Sequence, residues 1–227
     1  MSFSAEEIRS PRLSETLLVF GGIVGFLKLL YELRGLSPLL SQFLPALFAL
    51  VLVYVPLLYL SFRKTQISFF EKGTARILSS IFTFALTSLV IFPPFLLLNH
   101  FYQQIVFSQS YHAASLPNIF QLILIQILLV AFPEEFFYRG TLQTLLGLFF
   151  KKRIRFLGTE LGWNLPLASL LFAASHSLMT LRWWHFAIFF PSLVFGWLRE
   201  KTGGLVAPIL FHAFSNMVVA WIGASYF

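Results

Sequence analysis

Residues 131–140 read AFPEEFFYRG and place two glutamates and an arginine inside a long apolar part of the chain. Glu135 and Arg139 are four residues apart, so on a helix they share a face and can form an ion pair. Glu134 is rotated by about 100° from its neighbour and is left without that partner. Because a charge at the centre of a bilayer costs about 2.5–3.5 kcal/mol on insertion scales, we interpret Glu134 as a functional residue.

The composition around this stretch identifies lipid as the main solvent of the chain. Of 227 residues, 58% are hydrophobic and 11% are charged, and the mean hydropathy is +0.81. A soluble domain has about 25% charged residues, so the class of soluble globular proteins is excluded. The chain contains no Cys and no Asp. This excludes disulfides, thiolate catalysis, cysteine-ligated metals and catalytic triads that use Asp.

The apolar segments predict an all-α fold, a polytopic transmembrane helix bundle of about seven helices, with a range of six to eight. A helix needs about 20 apolar residues to cross a bilayer. The predicted spans are 14–31, 38–62, 77–98, 119–150, 165–181, 183–199 and 204–224. We find no polar linker long enough to separate two embedded halves, so residues 1–227 are treated as a single membrane domain.

The basic residues separate onto alternate sides of this arrangement. One side takes Arg9, Arg12, Arg63, Lys64, Lys72, Arg76, Lys151, Lys152, Arg153, Arg155, Arg199 and Lys201, and the other takes Lys28, Arg34 and Arg182. Because Lys and Arg accumulate in cytoplasmic loops, this distribution predicts a cytoplasmic N-terminus. We expect a multi-pass protein of the bacterial cell (inner) membrane. The net charge of +7 is explained by topology, so the expected partner is the lipid bilayer and not nucleic acid.

A GxxxG motif formed by Gly21 and Gly25 lies in the first span. Such a motif lets two helix backbones approach closely. We favour close packing against a neighbouring helix of the same chain, with dimerisation as the alternative. The oligomeric state itself is not predicted.

Two later spans also contain polar residues, in FAASH at 172–176 and HAFSN at 212–216. His212 and Asn216 are four residues apart and therefore share a helical face. A single histidine in a helix is usually a hydrogen-bonded packing residue. At 1.5 Å per residue, however, His176 and His212 lie about 16 and 12 Å from the cytoplasmic ends of their spans, close to the depth of Glu134. Three polar positions at similar depth predict one site.

The remaining histidines are His100, His112 and His185, which lie in or near the outer loops. We interpret them as interfacial residues without a catalytic role.

These three motifs, EExxxR from Glu134, FxxxH ending at His176 and HxxxN from His212, resemble the ordered motifs of a family of intramembrane proteases. The family is that of CAAX prenyl proteases and bacteriocin-processing enzymes, abbreviated CPBP or Abi. The resemblance covers residues 119–220, which we take as the catalytic core. Residues 1–118 contain no motif that matches.

The resemblance implies an endopeptidase that cuts a peptide bond near or within the membrane. Glu134 is then the catalytic carboxylate and His176 helps it to activate water. His212 and Asn216 are implied to stabilise the oxyanion. Supporting roles are assigned to Glu135 and Arg139. The expected substrate is a peptide or protein with a hydrophobic, membrane-associated or lipidated C-terminal segment.

Three alternatives stay open. A zinc ion held by Glu134, His176 and His212 would make this a metalloprotease. The HExxH motif that is typical of such zinc sites is absent. We therefore favour a metal-free glutamate mechanism with no cofactor. The second alternative is a proton-coupled membrane transporter that uses the same buried groups as a relay. The third is a non-catalytic immunity protein of the same fold.

Two prolines precede the polar residues, Pro133 before Glu134 and Pro208 four residues before His212. Each removes a backbone hydrogen-bond donor from its helix. We expect both to open the helices enough to admit water and an extended peptide.

Overall fold

The computed structural model describes residues 11–227, so Glu6, Glu7 and Arg9 of the predicted cytoplasmic end lie outside the described residues. Within that range the chain forms seven helices and one hairpin. The helices are α1 (Leu13–Leu33), α2 (Pro38–Phe62), α3 (Thr74–Phe107), α4 (Ile119–Phe149), α5 (Asn164–Thr180), α6 (Phe189–Thr202) and α7 (Val206–Ser225). The antiparallel hairpin β1 (Arg153–Phe156) and β2 (Thr159–Gly162) joins α4 to α5.

The predicted fold class, a helical membrane bundle, is confirmed. Helices α1, α2, α3, α4 and α7 are long and apolar enough to cross a membrane. Helices α5 and α6 are shorter, with 17 and 14 residues.

The predicted span 183–199 is wrong at its start, and its end lies three residues before the end of the helix. Trp183–Ile188 form a 3₁₀ helix, and α6 continues to Thr202. A 3₁₀ helix rises about 2.0 Å per residue and leads the chain back from the end of α5 with fewer residues than an α-helix needs. At the other end, Gly203 adopts a φ of +75°, a left-handed conformation that suits glycine and ends the helix.

Helix α4 occupies the centre of the bundle. Its residues Phe136–Gln143 are all buried, and the helix contacts α2, α5, α6 and α7. A helix that is buried on every side lies inside a bundle and not at its surface. The charged residues of α4 are therefore surrounded by protein, whereas α3, with only Ser80 and Phe92 buried, lies at the edge.

The predicted topology places successive helix ends on alternate sides of the membrane, and contacts between helix ends agree with it. Glu15 at the start of α1 pairs with Arg63 after α2. At the opposite ends, the Lys28 ammonium of α1 donates to the Met179 carbonyl of α5 at 3.0 Å. The grouping of ends matches the predicted one, and the cytoplasmic orientation remains a prediction.

The connection between α2 and α3 crosses the turn between α6 and α7. Buried Arg199 donates to the Ser68 carbonyl at 2.8 Å, which ties this connection to α6. The Glu71 carboxylate accepts a hydrogen bond from the backbone N–H of Val206, the first residue of α7, at 3.4 Å. It also fills the space where a side chain at Gly204 would begin, so a larger residue there would displace this carboxylate. The N-terminal half thereby fixes the start of α7.

The expectation for the GxxxG motif is wrong. A Cβ atom built at Gly21 or Gly25 meets no atom of another helix within 4 Å in residues 11–227. Both glycines are exposed, because α1 turns its buried residues Ile23, Val24 and Leu27 toward the bundle instead. Large apolar side chains therefore make the contact that the small residues were expected to make.

Because the chain has no native Cys, single Cys substitutions can report which side of the membrane each loop faces. Lys72 and Ser110 are both exposed and lie on opposite predicted sides. We expect Ser110→Cys to react with a membrane-impermeant maleimide in intact spheroplasts, and Lys72→Cys to react only after lysis. A mass shift on a denaturing gel measures the reaction. The reverse pattern would show that the orientation is inverted.

Candidate active site

Helix α4 changes its geometry on both sides of the two glutamates. Gln126–Ala131 and Phe136–Gln143 are π-helical, and Pro133 lies in the short α-helical stretch between them. Such turns, with hydrogen bonds between residues five apart, are rare and occur frequently at functional sites. Pro133 therefore lies between two π-helical segments, and the admission of water and an extended peptide there stays a prediction.

The same expectation for Pro208 is wrong. Helix α7 begins at Val206, so Pro208 lies in its first turn. Backbone N–H groups in the first turn have no partner within the helix, and a proline there removes nothing.

The three motifs meet at one carboxylate. Nε2 of His176 on α5 lies 3.7 Å from Oε2 of Glu134 on α4, and Nε2 of His212 on α7 lies 3.8 Å from the same oxygen. Oε2 of Glu134 is buried and has no hydrogen-bond partner in residues 11–227. These distances are too long for direct hydrogen bonds and leave the oxygen available to a small polar molecule.

Both imidazoles are held by their other nitrogen. Nδ1 of His176 lies 2.9 Å from the carbonyl oxygen of Phe172, and Nδ1 of His212 lies 2.8 Å from Oε1 of Glu135. A carbonyl and an ionised carboxylate only accept hydrogen bonds, so each Nδ1 carries a proton and donates. Each Nε2 therefore offers a lone pair when its ring is neutral and an N–H when the ring is protonated.

The predicted ion pair between Glu135 and Arg139 is present and wholly buried. Nη1 of Arg139 donates to Oε1 of Glu135 at 3.1 Å, and the two side chains are 0% and 1% exposed. Nη2 of Arg139 donates to the hydroxyl of Ser192 on α6 at 2.6 Å. The guanidinium carbon lies 4.3 Å from the ring centre of Phe172, where a cation interacts favourably with the ring. This pair therefore joins α4, α5 and α6 and, through His212, α7.

Asn216 lies in the same cavity, but its amide has a partner that the sequence reasoning missed. Nδ2 of Asn216 donates to Oε1 of Gln126 at 2.9 Å. Gln126 is an amide within an apolar span, two turns before Glu134. A polar side chain at that position could have identified it as a site residue from the sequence. Ser192, also missed, stands in a stretch with no motif and gave no comparable signal.

A mainly apolar cavity of about 890 Å³ connects these groups with the surroundings. Glu134, His176, His212 and Asn216 lie on one part of its wall. The rest is formed by apolar residues of several helices, among them Ile91, Phe92, Phe95, Phe190, Val194 and Val219. A cavity of this size with a few convergent polar groups is typical of a ligand or substrate site.

The donor set of Glu134, His176 and His212 would suit zinc in its chemistry. In residues 11–227, however, no three His, Cys, Asp or Glu side chains are placed so that they could hold a metal ion. We therefore derive no step of the chemistry through a metal.

The three histidines interpreted as interfacial lie away from this cavity. His100 is hydrogen bonded to Tyr226, and His185 to Thr180. The ring of His112 stacks on Phe227. These contacts join loops and helix ends.

Comparison with known proteins supports the resemblance that the motifs suggested. Residues 116–218, which contain all three motifs, match the family described as type II CAAX prenyl endopeptidase Rce1-like. The chain is also 34% identical over 99 residues to the uncharacterized protein YpbD of Bacillus subtilis (strain 168). This alignment covers 43% of each of the two proteins, so the chain matches less than half of that relative's length. No solved structure matches the chain.

Removal of the Arg139 charge is expected to destabilise the whole bundle. Arg139→Gln leaves Glu135 as an uncompensated buried charge, which costs about 3–5 kcal/mol. Thermal unfolding in mild detergent, followed by circular dichroism, measures the loss. The matched control is Arg155→Gln, because Arg155 is exposed. Equal unfolding temperatures for the two variants would contradict the central role of the pair.

Proposed function

We propose that this chain is an intramembrane endopeptidase in which Glu134 activates the attacking water. The observation that carries the proposal is the approach of two Nε2 atoms to within 3.7 and 3.8 Å of a buried, unpartnered Glu134 oxygen. A water molecule between Glu134 and His176 would have two acceptors for its protons. A general base acts within hydrogen-bond reach of the proton that it takes.

The proposed reaction balances with the residues at hand. Glu134 takes one proton from water while the water oxygen bonds to the carbonyl carbon of the substrate. The same proton then passes from Glu134 to the departing nitrogen as the C–N bond breaks. One carboxylate thus serves as general base and then as general acid, and His176 orients the water.

His212 and Asn216 are proposed to stabilise the oxyanion. Nδ2 of Asn216 has two hydrogens, and the bond to Gln126 uses one of them. His212 lies between Glu135 and Glu134 and donates from Nε2 when its ring is protonated. Donors that are already in position before negative charge develops on the substrate oxygen are the main source of such stabilisation.

Glu135 and Arg139 are proposed to hold His212 in place. Oε1 of Glu135 accepts from Nη1 of Arg139 at 3.1 Å and from Nδ1 of His212 at 2.8 Å. These two bonds fix the orientation of the His212 ring that places Nε2 3.8 Å from Oε2 of Glu134.

The arrangement favours an enzyme over a proton-coupled transporter. A relay would place ionisable groups at successive depths across the bilayer. Here Glu134, His176 and His212 converge on one oxygen, and His100 and His185 bond to other partners. A non-catalytic immunity protein would need neither the unpartnered carboxylate nor the large cavity.

The substrate proposed is a protein with a hydrophobic or lipidated C-terminal segment. The cavity beside Glu134 is lined mainly by apolar side chains and would hold an apolar group next to the scissile bond. The family that residues 116–218 match is described as a CAAX prenyl endopeptidase, which agrees with such a substrate. We also propose a bacterial cell membrane as the location.

Substitutions at the proposed base and its helper test the assignment. We expect Glu134→Gln and His176→Ala to reduce hydrolysis by at least about 100-fold, because general acid–base catalysis contributes about 10²–10⁴. The probes are fluorogenic membrane-anchored peptides, with and without a farnesylated cysteine near the C-terminus. Cleavage is followed by fluorescence and mass spectrometry. Glu160→Gln, at an exposed carboxylate, is the matched control. Full activity in either site variant would contradict the proposed mechanism.

Metal removal separates the glutamate mechanism from the zinc alternative. We expect purified protein to keep its activity after exhaustive dialysis against a chelator, because none of the proposed steps uses a metal. Elemental analysis of the dialysed sample verifies the removal. Loss of activity that returns only with zinc would establish the metalloprotease mechanism instead.

A further inference from the structure

The hairpin between α4 and α5 is fixed to the bundle through one carboxylate. Glu200 on α6 accepts from Arg153 of β1 at 3.1 Å, from Asn164 at 2.8 Å and from Gln143 at 3.0 Å. Lys201 also donates to the Gly158 carbonyl in the hairpin turn at 3.2 Å. The hairpin therefore has a defined orientation on the bundle.

This anchoring turns the apolar side of β1 outward. Side chains alternate along a strand, so the inward contact of Arg153 places Ile154 on the opposite face. Ile154 and Phe156 are 64% and 53% exposed, and Trp163 after the hairpin is 61% exposed. All four residues of β1 are exposed, so Ile154 and Phe156 stand open beside Arg153 and Arg155. Exposed apolar side chains of this size indicate contact with an apolar environment.

A groove of about 390 Å³ lies beside this apolar face and has a cation at its edge. Its lining includes Lys152, Ile154, Leu161, Trp163, Pro166 and Leu193. Lys151 and Lys152 are both exposed, and neither forms an ion pair within the described residues. The groove thus combines an apolar floor with positive charge at one end.

We propose that this groove binds an anionic phospholipid, with the phosphate at Lys151 and Lys152 and an acyl chain along Ile154 and Trp163. The position fits such a ligand, because α4 has 31 residues, more than the about 20 needed to cross the hydrocarbon core, and its end is therefore expected at the membrane surface. Basic clusters beside membrane helices attract anionic headgroups. The exposed apolar floor favours a lipid over nucleic acid, which would leave that floor uncovered. This binding site is separate from the proposed proteolytic site.

Tryptophan quenching by brominated lipids tests the proposal. The reporter is a variant of the full chain in which Trp183, Trp184, Trp197 and Trp221 are replaced by Phe, so that Trp163 is the only tryptophan and is excited selectively over tyrosine. It is reconstituted in bilayers that contain either brominated phosphatidylglycerol or brominated phosphatidylcholine. We expect the anionic lipid to be preferred at Trp163 by at least about fivefold, the effect of one lysine near an anionic surface.

Lys151→Gln combined with Lys152→Gln is expected to bring the preference close to one. The matched control is Lys72→Gln, which removes an exposed lysine distant in sequence from Lys151 and Lys152. It should leave the preference for the anionic lipid unchanged. Equal quenching by the two lipids would overturn the proposal. So would quenching by neither lipid, as expected if a second copy of the chain covers the groove.

A second measurement covers the case in which the four Trp replacements prevent folding. Native mass spectrometry of the otherwise unaltered chain counts the phosphatidylglycerol molecules that remain bound in detergent. We expect Lys151→Gln with Lys152→Gln to lose at least one bound phosphatidylglycerol relative to the wild-type chain and to Lys72→Gln. Equal counts in all three proteins would also overturn the proposal.

Discussion

The buried pair of Glu135 and Arg139 is the interaction on which the rest of the bundle depends. Two opposite charges removed from water and from lipid are stabilised by polar and aromatic neighbours, and three further helices supply them. Helix α6 contributes Ser192, α7 contributes His212 and α5 contributes the ring of Phe172. These contacts pack α5, α6 and α7 against α4. The same bonds that stabilise the fold also place His212 beside Glu134.

Much of this could be predicted from sequence because charge is scarce in the chain. Glu135 and Arg139 stand four residues apart in an apolar span, and their pairing follows from helix geometry alone. The meeting of Glu134, His176 and His212 follows from similar depth in three spans. Each of these inferences needed only the period of the helix and the thickness of a bilayer.

Other features could not be predicted, because they depend on contacts between distant parts of the chain. The π-helical turns of α4 follow no sequence period, and the bond from Asn216 to Gln126 requires the packing of α7 on α4. The 3₁₀ helix Trp183–Ile188 runs directly into the apolar start of α6, so the sequence pattern does not mark where one helix type gives way to the other. Gly21 and Gly25 form a packing motif, but the other face of α1 makes the contact.

The contact of Glu71 with the start of α7 links the residues before the matched family region to a helix within it. The matched family region begins at residue 116, yet the helix that carries His212 is capped by a residue far upstream of that point. Arg199 likewise donates into the upstream connection through Ser68. A fragment limited to the matched region would lose both contacts and leave Arg199 without these acceptors. The region recognisable by sequence therefore does not contain all the contacts that position α6 and α7.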